Sequence, residues 1–326
     1  MGIYPILCYC GNLLRKINKP MKCPIVIPTY KNRPGNLVQK LDQFKNSSVF
    51  VFVYENDYEN YKEYDCYENV EFVKLNVDWR SIQKKRRFIQ EWFVKRPEIE
   101  RYIMIDDDCC SGRFSQNNKT KPISLIELLN LLEEYHLKYG HKTVSGVEFN
   151  NLAFAHATKI VKQNPFYQCF LFENSWVIKH PECRFRDLQN VAEDVVIWFD
   201  CVQHNQPFDC FQNLYLLTNK CDSLASSNVN LIKNQINALR IMKHQSKIVM
   251  SSSWHCWIVG IGKPCPFYYE IKNVLDNLMP HWEKLQTNYD DTTYIKCFNE
   301  INNIVVSKQK PVSALGEFLY ERRDLG

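Results

Sequence analysis

Three consecutive carboxylates are the residues of this chain best suited to chemistry. Asp106, Asp107 and Asp108 follow directly on the apolar run YIMI at 102–105. Side chains alternate along an extended chain, so we expect Asp106 and Asp108 to point one way and Asp107 the other. Like charges held close together raise each other's pKa unless a cation neutralises them, and Mg²⁺ and Mn²⁺ prefer such oxygen ligands. The motif therefore predicts a divalent-metal site, with an acidic turn that caps a helix as the structural alternative.

The elements before this motif alternate between strand and helix. Apolar, β-branched runs predict buried strands at 23–30, 49–54 and 70–75. Helical spacing of apolar residues predicts helices at 36–44 and 80–95. This alternation indicates an α/β fold with a parallel sheet, in which ligands bind beyond the carboxyl ends of the strands. Thr29, Glu55 and Asp106 all fall at such ends.

The second half of the chain predicts an irregular, partly antiparallel arrangement. Ser124 and Glu127 form a capping box at the start of a helix at 122–140. Strands are predicted at 143–154 and 166–178, and helices at 190–204, 228–241, 268–278 and 293–302. We expect three parts, namely a leader at 1–21, an α/β domain at 22–260 and a helical extension at 261–326.

The composition describes an ordinary globular chain. With 326 residues, 45% of them hydrophobic, it can bury a large core, which argues against disorder. The net charge of +5 permits a polyanionic partner without requiring one. The 14 cysteines form no CxxC pair and no pattern of a secreted disulfide framework, so we predict a reduced, cytoplasmic location, the host cytoplasm for a viral protein. No apolar window predicts a membrane span, so we expect no membrane partner.

Five short elements, taken in order, resemble a known fold. They are IPTYKNRP at 27–34, YEND at 54–57, KKRRF at 84–88, DDD at 106–108 and AED at 192–194. Together, over residues 22 to 200, they resemble the GT-A fold of nucleotide-sugar glycosyltransferases, a Rossmann-like mixed sheet flanked by helices. Within that fold the chain resembles the TET-associated glycosyltransferases of phages, which are similar to the base J glucosyltransferase. The expected architecture is a GT-A-type α/β domain with a C-terminal helical extension.

The resemblance implies a site for a nucleotide-sugar donor, with a UDP-sugar as the expected donor. Asp106 and Asp108 would hold Mn²⁺ or Mg²⁺, which stabilises the diphosphate leaving group as a Lewis acid. His255 would complete the metal shell, with His244 as the alternative, although a lone His among aromatic residues is more often structural. The remaining donor-binding residues that it implies are Pro28, Thr29, Tyr30, Arg33, Glu55, Lys85, Arg86 and Asp107.

Several of these assignments have alternatives. Asn56 and Asp57 compete with Glu55 for the nucleobase or the ribose. Arg87 competes with Lys85 as the partner of Arg86 in reaching the phosphates or the base. Each basic residue of the KKRRF helix is explained equally well as part of a solvated helix face.

The resemblance also implies residues for catalysis and for acceptor binding. In inverting GT-A enzymes one carboxylate of an xED element takes the proton from the acceptor hydroxyl, which implies Asp194 as the base and Glu193 as the reserve. Negative charge at the start of a helix is also favourable for structural reasons alone, and a retaining enzyme would use the pair differently. Acceptor contacts are implied for Asn174, Trp176 and His180.

The resulting hypothesis is a metal-dependent glycosyltransferase. By family resemblance its acceptor is the hydroxyl of a hydroxymethylated pyrimidine in phage or viral DNA, a base that must leave the duplex stack to react. One alternative is a glycosyltransferase acting on a protein, a glycan or a lipid head group. Others are a non-catalytic interaction module and a nucleotidyltransferase, which would release pyrophosphate rather than a nucleoside diphosphate.

Overall fold

The computed structural model describes residues 22–29, 34–116, 119–149, 161–163, 166–188, 191–218, 229–241, 248–251, 256–259, 268–285 and 287–308. The chain divides into two compact units, the first made of residues 1–187 and 200–221 and the second of residues 188–199 and 222–326. Each unit has its own hydrophobic core. The expected boundaries after residues 21 and 260 stay predictions.

The described residues of the first unit form ten strands. They are β1 (Ile25–Pro28), β2 (Val49–Tyr54), β3 (Val70–Leu75), β4 (Arg101–Ile105), β5 (Cys109–Gln116), β6 (Lys119–Ile123), β7 (Val144–Phe149), β8 (Val161–Gln163), β9 (Cys169–Glu173) and β10 (Phe208–Thr218). Its helices are α1 (Ile82–Val94), α2 (Leu125–Tyr139) and α3 (Asn174–Lys179), and α4 (Glu193–Gln203) contains the boundary between the units. Short 3₁₀ helices occupy Val38–Phe44, Glu55–Asn60, Lys62–Tyr64 and Pro181–Cys183.

All ten strands belong to one mixed sheet. The order is β3-β2-β1-β4-β9-β7-β10-β5-β6, and β8 pairs with β10. Neighbours from β3 to β4 are parallel, and β9 pairs antiparallel with both β4 and β7. The sheet thus contains both parallel and antiparallel pairs, and helices alternate with its strands along the chain, so the predicted mixed α/β sheet flanked by helices is confirmed.

Local sequence explains the elements that frame the sheet. The apolar runs of β1 and β4 are almost entirely buried, as strands covered on both faces should be. The Ser81 side chain accepts a hydrogen bond from the Lys84 amide and caps α1. The predicted capping box of α2 is present, with Ser124 and Glu127 satisfying each other's backbone amides.

Some predicted elements need correction. In place of the helix predicted at 36–44, the structure has a 3₁₀ helix at Val38–Phe44. The strand predicted to continue to residue 178 ends at Glu173, and α3 follows. The reason lies in Asn174, whose side-chain amide donates to the Phe93 and Arg96 carbonyls at the end of α1 and turns the chain there.

The described part of the second unit is largely helical. It contains α5 (Val229–Ile241), β11 (Ile248–Ser251), β12 (Cys256–Val259), α6 (Tyr268–Leu278) and α7 (Asp291–Lys308). The predicted C-terminal helices are confirmed, and the last one is longer than expected. Arg240 lies buried at the centre, where it donates to the carbonyls of Trp282, Lys284 and Thr287. Among the described residues, no helix combines the length and the apolar character that a membrane crossing needs.

Candidate functional site

The carboxyl ends of four parallel strands meet at one edge of the sheet. β1, β2, β3 and β4 end there, and the strand order reverses direction between β1 and β4. Open α/β sheets bind ligands in the crevice outside such a reversal point. The predicted positions of Thr29, Glu55 and Asp106 at these strand ends are confirmed. We call the region formed by the residues that follow these four strand ends the carboxyl edge.

The three carboxylates of the carboxyl edge lie on a tight turn. The Cys109 amide donates to the Asp106 carbonyl at 3.3 Å, and the Asp106 amide donates to the Gln168 carbonyl at 2.9 Å. The expectation of strictly alternating side chains on an extended chain was therefore wrong. The chain reverses direction at this point because β5 starts at Cys109 and runs away from β4.

A close backbone approach fixes this acidic turn. The Leu37 amide donates to the Asp107 carbonyl at 2.9 Å. The Asp107 side chain packs directly on Gly35, where a Cβ atom would lie 2.5 Å from the Asp107 Cγ atom. A side chain at position 35 would collide with Asp107, so a glycine at this position permits the close approach.

Arg86 is the buried partner of the first carboxylate. Its Nη2 atom lies 2.6 Å from the Asp106 Oδ1 atom, and the Arg86 side chain is only 2% exposed, against 21% for Asp106. The rings of Phe170 and Phe185 lie 5.3 and 5.5 Å from the guanidinium carbon. Arg86 thus balances the charge of Asp106 and fixes the direction of its carboxylate.

Lys85 is completely buried beneath the ends of β1 and β2. Its Nζ atom donates to the Thr29 carbonyl and, at 3.2 Å, to the Phe52 carbonyl. The same atom lies 3.6 Å from the centre of the Tyr54 ring. Burial lowers the pKa of Lys85 to about 7, although the attraction of Asp107 and Asp57 acts in the opposite direction.

A cavity of about 390 Å³ opens at the ends of β2 and β3. Its lining residues are Tyr54, Glu55, Asn56, Leu75, Asn76, Val77, Asp78 and Arg80. The Arg80 guanidinium makes two hydrogen bonds of 2.8 and 2.7 Å to the carboxylate of Asp57, which is buried, while half of the Arg80 side chain is exposed. The cavity therefore combines carboxylate and amide acceptors with one rigidly held cation.

Arg80 did not emerge from the sequence as a candidate site residue. It appeared only as the first residue of a predicted helix, whereas α1 begins at Ile82. The signal was available, because the segment 76–80 follows β3 and so lies at a third carboxyl end of the parallel sheet.

The other predicted site residues lie at the end of β1, at the start of α4 or outside the described residues. Pro28 ends β1, and the Thr29 hydroxyl donates to the Phe52 carbonyl at 3.0 Å. Glu193 and Asp194 form the first turn of α4, as predicted for the AED element. Four predicted residues lie outside the described residues: Tyr30, Arg33, His244 and His255.

The residues expected to contact the acceptor lie at the opposite edge of the sheet. The backbone amide of Asn174 donates to the carbonyl of Glu100, the residue just before β4 begins, whereas Asp106 follows the end of β4. Trp176 donates through its ring nitrogen to Gln206, and His180 pairs with Glu182. The structure therefore does not bring these three predicted residues to the carboxyl edge.

A second buried charged network lies at that opposite edge, which we call the amino edge. The His136 ring nitrogens pair with the Ser145 hydroxyl at 2.7 Å and with the Glu173 carboxylate at 3.0 Å. Arg101 binds the same Glu173 oxygen at 3.0 Å. Burial acts to raise the pKa of Glu173, but the hydrogen bonds from His136 and Arg101 outweigh it and hold that pKa below its usual value.

The acidic turn suits a divalent cation in its donor chemistry. Its carboxylates are hard oxygen ligands, and Mg²⁺ is commonly held by one or two carboxylates together with substrate phosphates. Among the described residues, no group of three or more His, Cys, Asp or Glu side chains could hold a metal ion. Asp106 and Asp108 therefore offer the type of oxygen donor that such an ion takes, and their joint role as ligands stays a prediction.

Comparison with known proteins gives only weak similarities. No protein-family model matches the chain. No curated protein matches it either. Among solved structures, protein A197 from STIV matches with a TM-score of 0.36 and 10% sequence identity, covering 75% of this chain and 97% of that chain. GalNAc-T7, solved with UDP, GalNAc and Mn²⁺, matches with a TM-score of 0.43 and 10% identity, covering 88% of this chain and 55% of that chain.

Proposed function

We propose that this chain is a glycosyltransferase that binds a nucleotide-sugar donor at the carboxyl edge. The observation that carries the proposal is the position of the acidic turn and the cavity at the same edge, on either side of the point where the strand order reverses. A nucleotide sugar has a polar nucleoside at one end and an anionic diphosphate in the middle. The cavity suits the first part and the acidic turn, through a cation, suits the second.

The nucleoside half of the donor would occupy the cavity of about 390 Å³. Glu55 and Asn56 line it and offer acceptors for the ribose hydroxyls or for the N–H groups of the base. Asp57 binds Arg80 through both oxygens, so it is better suited to fixing that arginine than to contacting the donor. These contacts favour Glu55 over Asp57 as the donor ligand.

The diphosphate would lie over the junction of β1 and β4. Asp106 and Asp108 would hold Mg²⁺ or Mn²⁺, and such an ion would stabilise the negative charge of the leaving diphosphate. Arg86 holds Asp106 in place, and the Asp107 backbone fixes the turn against Leu37. The donor roles of Tyr30 and Arg33 and the metal role of His255 remain part of the proposal.

The chemistry of transfer needs a base for the acceptor hydroxyl. Asp194 would take this proton in an inverting reaction, with Glu193 as the reserve. By resemblance the acceptor is a hydroxymethylated pyrimidine in DNA, and the net charge of +5 is compatible with a phosphate backbone. Asn174, Trp176 and His180 are not carried into this proposal, because their side chains bind other parts of the amino edge.

The test is release of a nucleoside diphosphate from a panel of nucleotide sugars. Each donor is incubated with Mg²⁺ or Mn²⁺, with and without DNA that contains 5-hydroxymethyluracil or 5-hydroxymethylcytosine. We expect release that requires both metal and modified DNA and that falls by at least about 100-fold in Asp106→Asn. Release that is indifferent to the DNA would keep the glycosyltransferase and redirect the search to protein, glycan or lipid acceptors. Pyrophosphate as the product would support a nucleotidyltransferase, and no turnover with any donor would support a non-catalytic module.

A further inference from the structure

Two adjacent lysines of α1 have opposite environments. Lys84 is 24% exposed and faces Asp187 at 3.6 Å. Lys85 is fully buried, on the helix face that packs on the sheet together with Ile89 and Phe93. A buried ammonium loses its hydration, which is unfavourable unless fixed dipoles or charges replace the water. A solvated helix face therefore does not explain the buried position of Lys85.

The partners of Lys85 are two main-chain carbonyls at the carboxyl edge. Its Nζ atom donates to the carbonyls of Thr29 and Phe52. The Thr29 amide and hydroxyl also donate to the Phe52 carbonyl, at 3.2 and 3.0 Å. Lys85 thus completes a small network that fixes where the chain leaves β1, immediately before the loop that packs on the acidic turn.

Lys85 also reaches the wall of the cavity through one aromatic ring. Tyr54 lines the cavity, and its ring centre lies 3.6 Å from the Lys85 Nζ atom and 4.9 Å from the Arg80 guanidinium carbon. The Tyr54 hydroxyl accepts a hydrogen bond from the Ser81 amide at 3.1 Å, which fixes the ring relative to the start of α1. One buried cation therefore contacts both the β1 exit and the cavity wall.

We propose that Lys85 is a positioning residue of the donor site, whose ammonium holds the ends of β1 and β2 and the Tyr54 wall in the geometry that the donor meets, without touching the donor itself. This inference rests on the proposed function and differs from a direct phosphate contact. It follows from the geometry that the charge, and not only the volume, of the side chain matters. A methionine would fill the space but would leave the Thr29 carbonyl without the donor that Lys85 supplies.

The charge of Lys85 is sensitive to pH near neutrality. Burial, with a smaller contribution from the nearby Arg80, lowers the pKa of Lys85 to about 7, although Asp107 and Asp57 act to raise it. The ammonium is therefore present below about pH 7 and is lost as the pH rises through that value. Donor affinity should decrease over the same range, since the neutral amine is a weaker hydrogen-bond donor than the ammonium.

The experiment measures nucleotide binding and local backbone protection in three proteins. UDP, GDP and ADP with Mg²⁺ are titrated calorimetrically into the wild type, Lys85→Met and the matched control Lys84→Met, at about pH 6 and about pH 8.5. Hydrogen exchange of the peptide 22–36 is followed in the same proteins without nucleotide. Lys85→Gln, which keeps an N–H donor but no charge, is the second variant if Lys85→Met does not fold.

We expect the affinity of the wild type for its best nucleotide to fall as the pH is raised from about 6 to about 8.5. This fall should be about tenfold larger than the fall that Lys85→Met shows over the same range. At the lower pH, Lys85→Met should bind at least about tenfold more weakly than the wild type, and its peptide 22–36 should exchange faster. Lys84→Met should match the wild type in every measurement. Lys85→Gln should bind more weakly than the wild type and show no additional pH dependence.

Two failures can be told apart. If the wild type binds a nucleotide and Lys85→Met matches it in affinity and in pH dependence, this inference is wrong and the proposed function stands. If the wild type binds no nucleotide at either pH, the proposed function fails and the inference fails with it. Unchanged exchange of the peptide 22–36 in Lys85→Met would contradict the positioning role.

Discussion

The two edges of the same sheet each hold buried charges, but they differ in what those charges face. At the amino edge, Arg101, Glu173, His136 and Ser145 bind one another in one continuous network. At the carboxyl edge, Arg86 and Lys85 are buried beneath an acidic turn and beside a cavity. The buried charges of the first network pair with one another, and Arg101 also reaches the exposed Glu100. The second set lies beside a cavity that a ligand could enter.

Residue types alone do not identify a functional site in this protein. A serine, a histidine and a glutamate in hydrogen-bond contact have the composition of a hydrolytic triad. Ser145 and His136 are fully buried, however, so no substrate could meet that hydroxyl. We therefore interpret the amino edge as a structural clamp between α2, β7 and β9, and the carboxyl edge as the functional surface.

The sharpest way to separate the edges is to remove one cation from each. Arg86→Met leaves Asp106 without its ion-pair partner and should lower the free energy of unfolding by about 3 kcal/mol, at the lower end of the range for a broken buried pair. Arg101→Met should cost less, because Glu173 keeps its hydrogen bond to His136. Urea denaturation of the two variants and the wild type measures both values. A larger loss for Arg101→Met would contradict the importance assigned to the Arg86 pair.

A second comparison uses two glycines. Gly35→Ala would place a Cβ atom 2.5 Å from the Asp107 Cγ atom, so the acidic turn must shift, at a cost of about 1 to 3 kcal/mol and with at least about a tenfold loss of nucleotide affinity. The control is Gly112→Ala in β5, whose Cβ atom would lie 3.0 Å from the Leu128 side chain. We expect the control to lose stability without losing affinity. Equal nucleotide affinity in Gly35→Ala and the wild type would show that the geometry of the acidic turn does not affect nucleotide binding.

A third prediction follows from the lowered pKa of Lys85. Its folded-state value of about 7 lies below its ordinary value of 10.5, so between these values the unfolded chain binds more protons than the folded chain. The contribution of Lys85 to stability therefore rises as the pH increases through this window, by at most about 1.4 kcal/mol per pH unit. The observable is the free energy of unfolding of the wild type minus that of Lys85→Met, from about pH 7 to about pH 9. A flat or falling difference would show that Lys85 keeps its charge throughout.

The smallest expected effect lies in α2, away from the carboxyl edge. Ser124→Ala removes the capping box and should cost about 1 kcal/mol in chemical denaturation. Nucleotide affinity and turnover should not change. A loss of affinity would mean that the stability of α2 is coupled to the site, which nothing in its contacts suggests.

The sequence predicted much of the framework because the signals there are local. The apolar runs of β1, β2 and β3 and the capping box of α2 are short patterns, and each was found within a few residues of its true bounds. The placement of Thr29, Glu55 and Asp106 at one edge followed from parallel alternation alone. These predictions need only neighbouring residues and a general rule about sheets.

The sequence predicted the environment of the basic helix less well. A solvated helix face was one of the two explanations for Lys85 and Arg86, yet these residues lie four and three positions before Ile89, on the buried face. That spacing was a usable signal, but it conflicts with the rule that charged residues stay at the surface. The buried partners that override the rule, Thr29 and Asp106, are remote in sequence.

Long-range pairings also limited the prediction. Strand β10 had no counterpart among the predicted elements, and its neighbours β7 and β5 are far away along the chain. The turn at Asp106 depends on β5 pairing with β10, which no local pattern in the DDD motif reveals. The position of Asn174, Trp176 and His180 at the amino edge could not be predicted for the same reason, since the edge on which β9 ends depends on its antiparallel pairing with β4.

In the proposed function the donor binds at the carboxyl edge and not at the amino edge. The most direct measurement is a calorimetric titration of UDP, GDP and ADP with Mn²⁺ into the wild type, Asp106→Asn and Glu173→Gln. Asparagine keeps an oxygen acceptor for Arg86, so Asp106→Asn removes mainly the charge of the turn. We predict that one nucleotide binds to the wild type and to Glu173→Gln with similar affinity, and at least about tenfold more weakly to Asp106→Asn. Equal binding by Asp106→Asn, or a loss confined to Glu173→Gln, would contradict this account.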